Sequence, residues 1–164
     1  FIMQEKKLEL SFKSADLSEL DQIDQTLVVN AKNALSTAYA PYSGFLVGAS
    51  ILLENGEIIN GSNQENVAYP SGLCAERVAI FYVGAKFPDI KIKTIAVTIF
   101  SKNFDVTDVI SPCGACRQVM AEYEDKQNQS IKVILHSPND KVLISEKVSD
   151  LLPFMFKSPH LKTH

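Results

Sequence analysis

The three cysteines of this chain fall in two short motifs, Cys74-Ala75-Glu76 and Pro112-Cys113-Gly114-Ala115-Cys116. Each motif stands where a helix is predicted to begin. A helix N-terminus presents unpaired N–H groups and the positive end of the dipole, which favours thiolate over thiol. Three thiolates at two facing helix ends can hold Zn²⁺ at about 2.3 Å and leave a fourth tetrahedral position open. Water in that position becomes a nucleophile once the metal lowers its pKa, which separates a catalytic site from a structural one. Glu76 follows Cys74 by two residues, a rotation of about 200° on a regular helix. It is therefore better placed beside the metal, carrying protons to and from water, than as a ligand.

Three thiolates outweigh the charge of one Zn²⁺ and weaken it as a Lewis acid, so a cation is expected nearby. Only two of the sixteen basic residues are arginines, and both flank the motifs: Arg77 follows Glu76, and Arg117 follows Cys116. A guanidinium fork donates several hydrogen bonds to sulfur better than an ammonium does. The residues alone leave other uses open. A C-x-x-C also occurs in redox pairs, and a structural Cys₃His zinc site could draw on His136, His160 or His164.

These motifs need a scaffold, and the pattern of apolar residues supplies one. Leu20, Ile23, Leu27, Val28, Ala31, Ala34, Leu35 and Ala38 recur at helical spacing and predict an amphipathic helix over 18–38. Residues 40–44, Ala-Pro-Tyr-Ser-Gly, break it. An apolar run at 47–53 followed by Asn55-Gly56 predicts a hairpin, both turn residues tolerating positive φ, with Ile58 and Ile59 in the second strand. A helix over 74–83 is predicted to close at Gly84. A β-branched strand at 94–100, a loop to Pro112 and a helix over 113–123 follow. Strands at 131–135 and 142–144 are joined by the turn cluster Ser137-Pro138-Asn139-Asp140, and a helical turn near 150–152 ends at Pro153. The order α-β-β-α-β-α-β-β implies a single α/β domain, a three-layer α/β/α arrangement on a five-stranded mixed sheet. The expected boundaries are an N-terminal arm at 1–17, a zinc-binding catalytic domain at 18–157 and a tail at 158–164, with Met3 read as the natural start.

Composition bounds the class of function. A 46% hydrophobic and 21% charged chain of 164 residues suits one core. A net charge of −3 with no block of like charge lacks the basic stripe that grips a phosphate polymer, so no nucleic-acid polymer is expected as a partner. No run of about eighteen apolar residues exists to span a membrane, and the N-terminus lacks the apolar stretch of a secretory signal. An odd cysteine count with a C-x-x-C points to metal chemistry rather than disulfides, and to the cytoplasm.

Cys-Ala-Glu followed by Pro-Cys-x-x-Cys resembles the zinc-dependent nucleoside and nucleobase deaminases. Further stretches narrow the resemblance: Tyr42-Ser43-Gly44-Phe45-Leu46-Val47-Gly48-Ala49, Asn63-Gln64-Glu65-Asn66-Val67-Ala68-Tyr69, Cys74-Ala75-Glu76-Arg77, and Ser111-Pro112-Cys113-Gly114-Ala115-Cys116-Arg117-Gln118. From about Ala31 to Phe156 the chain looks like the small, homotetrameric cytidine deaminases. The resemblance implies hydrolysis of cytidine and deoxycytidine to the uridine products and ammonia, in pyrimidine salvage. It implies Cys74, Cys113 and Cys116 as zinc ligands, Glu76 as proton shuttle, and Arg77 as hydrogen-bond donor to cysteine sulfur. Phe45 would pack on the nucleoside, and Asn63 and Glu65 would hold the ribose 3′-hydroxyl. Ala68 and Tyr69 would reach a neighbouring subunit's site, and Phe156 of the Leu151-Leu152-Pro153-Phe154-Met155-Phe156 tail would lie over another subunit's pyrimidine. The sequence departs from that pattern at Val78, where Thr is common, in the 101–112 loop, which lacks a Gly before Ser-Pro-Cys, and at the bulky Phe154 and Met155. Deamination of a cytosine-bearing antibiotic of the blasticidin type, or a zinc-stabilised binding module without turnover, would use the same zinc motifs.

Overall fold

The structure, a computed structural model, describes residues 3–161. Phe1, Ile2 and 162–164, including the expected solvated His164, lie outside the described residues. The elements run β1 (Lys13–Asp16), α1 (Gln22–Ala34), β2 (Phe45–Leu53), β3 (Ile58–Ser62), α2 (Ala75–Lys86), β4 (Ile92–Ser101), α3 (Gly114–Gln127), β5 (Lys132–His136) and β6 (Lys141–Ser145). They form one sheet in the order β1-β6-β5-β4-β2-β3, with β4 and β5 parallel and the other pairs antiparallel. β4 is covered on both faces, which explains its unbroken apolar reading. Ile95 and Val97 enter a core shared with α2 and α3, while Ala96 joins Leu27, Val28 and Ala31 of α1 on the opposite face. The three-layer α/β/α arrangement follows directly from that alternation. Among the described residues no helix is long and apolar enough to cross a membrane.

Among the described residues the sheet has six strands rather than the expected five. The added strand, β1, comes from the segment read as an arm and pairs antiparallel with β6, from Lys13 opposite Ile144 to Asp16 opposite Lys141. Lys-Ser-Ala-Asp contains no β-branched or aromatic residue, so strand propensity carried no signal there. The helix expected over 18–38 is also divided. Asp21 takes an extended conformation and accepts a hydrogen bond from the N–H of Asp24 at 2.8 Å, so α1 starts afresh at Gln22. The hairpin at Asn55-Gly56 forms, but only Gly56 takes positive φ, at 88°. Gly56 N–H donates to Leu53 O and Leu53 N–H to Glu57 O, closing a longer loop than the two-residue turn.

Gly84 does not close α2, which continues to Lys86. A Cβ on Gly84 would lie 2.1 Å from the Tyr123 hydroxyl, so the glycine marks the crossing of α3 over α2. Gly61 has a similar role on β3: a Cβ there would come within 2.7 Å of both Ala75 O and Ala79 N. The backbone of α2 therefore lies directly on β3, and this contact determines where the first turn of α2 stands.

His136 is 2% exposed in β5 and takes no part in the cysteine group. Its Nδ1 pairs with Thr98 Oγ1 at 2.8 Å and its Nε2 with Asp140 Oδ1 at 3.0 Å, while Lys32 donates to the same carboxylate oxygen at 2.7 Å. Burial holds the imidazole below its ordinary value of 6.5, with the charge of Lys32 acting in the same direction and Asp140 opposing both. The unfolded chain thus binds a proton here at a higher pH than the folded one. Stability from the neutral ring is complete above that ordinary value and is lost as pH falls through the lower folded one. Unfolding by urea at several pH values between about 7 and 5 should show a loss of stability on acidification that is shallower in His136→Gln. Parallel curves for the two proteins would remove His136 as the cause.

Candidate active site

Cys74 and Cys113 are the N-cap residues of α2 and α3, and Cys116 lies in the first turn of α3. The expected helix starts are thus met, and the two ends face one another. The three Sγ atoms lie within 4.8 Å of one another, with Cys74 and Cys113 3.9 Å apart. Four ligands around Zn²⁺ at about 2.3 Å stand about 3.8 Å apart in a tetrahedron, so this spacing suits the ion. The protons of the trio tell the same story. Donation from the Cys116 thiol, and then from Arg77, draws Cys74 down to about 5. Cys116 is pushed far up, first by that bond to the Cys74 sulfur and then by its burial. A divalent cation would bind all three as thiolates, with release of their protons.

Glu76 is 4% exposed, lines the adjoining cavity, and has an Oε2 without a hydrogen-bond partner among the described residues. Burial, and then the charge of Cys74, pushes its carboxyl above the usual range. It stands outside the metal-holding group, although Cys74, as the extended N-cap, precedes the helix on which the expected rotation was reckoned. Arg77 Nη2 donates to Cys74 Sγ at 3.6 Å. Arg117 does not serve sulfur: its Nε donates to Pro112 O at 2.7 Å and its Nη1 to Leu151 O at 3.2 Å.

The cavity holds about 680 Å³, enough for a nucleoside-sized molecule. Val97 and Ile99 of β4 line it, as do Cys74, Glu76, Arg77 and Cys113, and Phe45, Asn63 and Glu65 form part of its wall. Asn63 is mostly committed to backbone: Nδ2 donates to Phe45 O at 2.9 Å, and Oδ1 accepts from Val47 N–H at 2.8 Å. The amide keeps one N–H for another partner. Glu65 accepts from the N–H groups of Tyr42 and Ser43 at 3.0 and 3.3 Å and from the Ser43 hydroxyl. The Ser43 bond, with the backbone donors beside it, holds this carboxylate below its usual range.

Tyr69 reaches the cavity rim and packs edge-to-face on Tyr42, centroids 5.9 Å apart, whereas Ala68 lies outside the lining. Phe156 is 74% exposed and does not line its own chain's cavity. Its backbone is nevertheless held at both groups, by Gln118 Oε1 at 2.8 Å and Gln118 Nε2 at 2.9 Å. The sequence reading did not find Ser43, Asn103, Phe104 or Gln118 as supports of the site. Gln118 follows the second motif closely enough to have been suspected; the others act through contacts between distant segments.

The family described as the cytidine and deoxycytidylate deaminase zinc-binding region matches residues 21–131. A cytidine deaminase of Sporosarcina psychrophila is 41% identical over 141 residues, covering 84% of this chain and 93% of that protein. A cytidine deaminase of Mycobacterium tuberculosis is 32% identical over 127 residues, covering 77% of this chain and 84% of its own. Among solved structures, the cytidine deaminase from Burkholderia pseudomallei superposes with a TM-score of 0.69 at 36% identity, covering 80% of this chain and 97% of that one. With a family match over 21–131 that spans both cysteine motifs, and relatives of that identity and extent, the chain belongs to the cytidine and deoxycytidylate deaminase zinc-binding family.

Proposed function

We propose that this protein is a cytidine deaminase, converting cytidine and deoxycytidine to the uridine products with release of ammonia. The observation that carries the reading is the buried carboxylate of Glu76, its Oε2 unpartnered among the described residues, in a cavity lined by Cys74 and Cys113 of the three-thiol group. Cys74, Cys113 and Cys116 would hold the zinc ion. Zinc bound there supplies a Lewis acid that brings the pKa of water towards neutrality. Glu76 takes a proton from the attacking water and delivers it to N3 as the new oxygen–carbon bond forms at C4. It then carries the second proton to the departing amine as the carbon–nitrogen bond breaks, so that one water is consumed and one ammonia released. The raised carboxyl suits both directions of transfer. Arg77 offsets the charge gathered on Cys74.

Phe45 provides a face for the nucleoside, and Glu65, kept anionic by the Ser43 turn, accepts the 3′-hydroxyl alongside the free N–H of Asn63. The active unit is a homotetramer in which Ala68, Tyr69 and Phe156 serve a neighbour's site. Tyr69 and Phe156 are each 74% exposed and Phe154 is 87% exposed, aromatic surface that suits burial against another copy. A cytoplasmic role in nucleoside salvage fits this substrate.

An ultraviolet assay with cytidine, deoxycytidine, cytosine and adenosine tests the reading directly; turnover of neither nucleoside of cytosine would reject it. Metal analysis of dialysed protein should find about one zinc per chain, and Cys113→Ala should lose most of it together with activity. Full zinc in that variant would exclude Cys113 as a ligand. Glu76→Gln should retain zinc and fold but lose about 10²–10⁴-fold or more in kcat; a loss under tenfold would end the proton-shuttle role. Deleting residues 154–164 should raise KM by about five- to a hundredfold, the usual worth of a base–aromatic stack, with zinc retained. Mixing that truncated protein with full-length Glu76→Gln should recover activity. A monomer by light scattering, or an unaltered KM, would count against shared sites.

A further inference from the structure

Phe45 opens β2, and its main chain is held from three sides. Its N–H donates to Ser43 Oγ at 3.0 Å, its carbonyl accepts from Asn63 Nδ2 at 2.9 Å, and it stands opposite Ser101 in the ladder to β4. Its ring is only half-buried and lines the cavity. The ring of Phe104 stacks on it, centroids 6.1 Å apart and planes 20° from parallel. Phe104 belongs to the connection between β4 and α3, does not line the cavity itself, and is 57% exposed.

The residues before Phe104 account for its placement. Lys102 N–H donates to Gly44 O at 3.0 Å, and Asn103 Nδ2 donates to Ser43 O at 2.8 Å. Asn103 N–H is held by Ser101 Oγ at 3.2 Å. Gly44, at φ +64°, makes this approach possible, because a Cβ there would meet Asn103 Nδ2 at 2.7 Å. The 43–45 turn is therefore docked twice, by Glu65 through Ser43 and by the 101–104 segment.

We propose that Phe104 is a positioning residue for nucleoside binding: it backs the Phe45 ring and holds it ready as a wall of the cavity. The inference rests on the cytidine deaminase reading. A main chain pinned as firmly as that of Phe45 leaves its side-chain torsions as the remaining freedom, and a stacked ring removes it. Freedom removed before binding is not lost on binding, which is what raises affinity in a preorganised site. The wall meets the nucleoside before and during the reaction alike, so its loss raises KM and leaves kcat little changed.

Steady-state kinetics with cytidine test this in wild type, Phe104→Ala, Phe104→Tyr and Asn103→Ala, each checked for zinc content and melting temperature. Phe104→Ala should raise KM about three- to tenfold, the range of one aromatic pair, with kcat within about twofold and zinc unchanged. Phe104→Tyr keeps the ring and should recover most of the affinity, and Asn103→Ala should raise KM in the same sense by less. An unchanged KM in Phe104→Ala, or a KM rise that Phe104→Tyr fails to reverse, would overturn the proposal while leaving the deaminase reading intact. A fall in kcat accompanied by lost zinc would overturn it in favour of a general role in folding. Wild-type protein without turnover would sink the deaminase reading, and this inference with it.

Discussion

Three sulfur atoms within 4.8 Å of one another, arriving from two helix ends, set the condition that the rest of the chain has to meet. Thiolates at that separation repel, and their tolerance depends on helix N-termini, a nearby guanidinium and a divalent cation. Bringing the two ends together requires α2 to lie on β3 without an intervening side chain, which Gly61 permits. It also requires α3 to begin close to the same end of β4. The parallel pairing of β4 and β5 secures that, since α3 must cross between them. Val97 and Ile99 then line the cavity beneath the helix ends, at the carboxyl end of a strand whose two neighbours are reached by different connections.

The cavity holds two carboxylates whose surroundings drive them apart. Glu65 takes a hydroxyl donor and two backbone donors from the 42–43 turn and is held below its ordinary range. Glu76 has burial and the Cys74 charge against it and is held above. Divergence of this kind separates a fixed anion, suited to receiving a hydroxyl, from a group suited to gaining and losing a proton. Neither effect comes from the carboxylates themselves. Each comes from what the fold places beside them.

Helix α3 links the metal ligands to the end of the chain. Arg117 holds Leu151 O, Gln118 holds both main-chain groups of Phe156, and Glu124 accepts from the N–H groups of Val148 and Ser149. Leu151 is buried, while Phe154 and Phe156 are presented outward on a backbone tied to the helix that carries Cys113 and Cys116. An exposed aromatic on a restrained backbone loses little freedom when it is covered.

The parts of this protein legible in its sequence are those whose cause lies within a few residues. Cys74 and Cys113 cap helices because helix starts are local events, and β4 reads as a buried strand because its apolar run is its own. Glu76 is legible as the first-turn carboxylate of α2 beside the Cys74 cap, although the rotation reckoned between them assumed a helical Cys74. Even locally, one cause could override another: the Asp21 cap interrupted an apolar period that by itself implied one long helix. What stayed hidden depended on contacts between distant segments. β1 is a strand only because β6 offers its edge, and Gly84 marks where Tyr123 crosses α2 rather than where a turn begins. Glu65 is anchored by Ser43, and Phe45 is backed by Phe104 through Asn103. Propensity and periodicity report the free energy of a segment with itself, whereas the shape of the cavity wall was decided by packing between segments that meet only when the chain is folded.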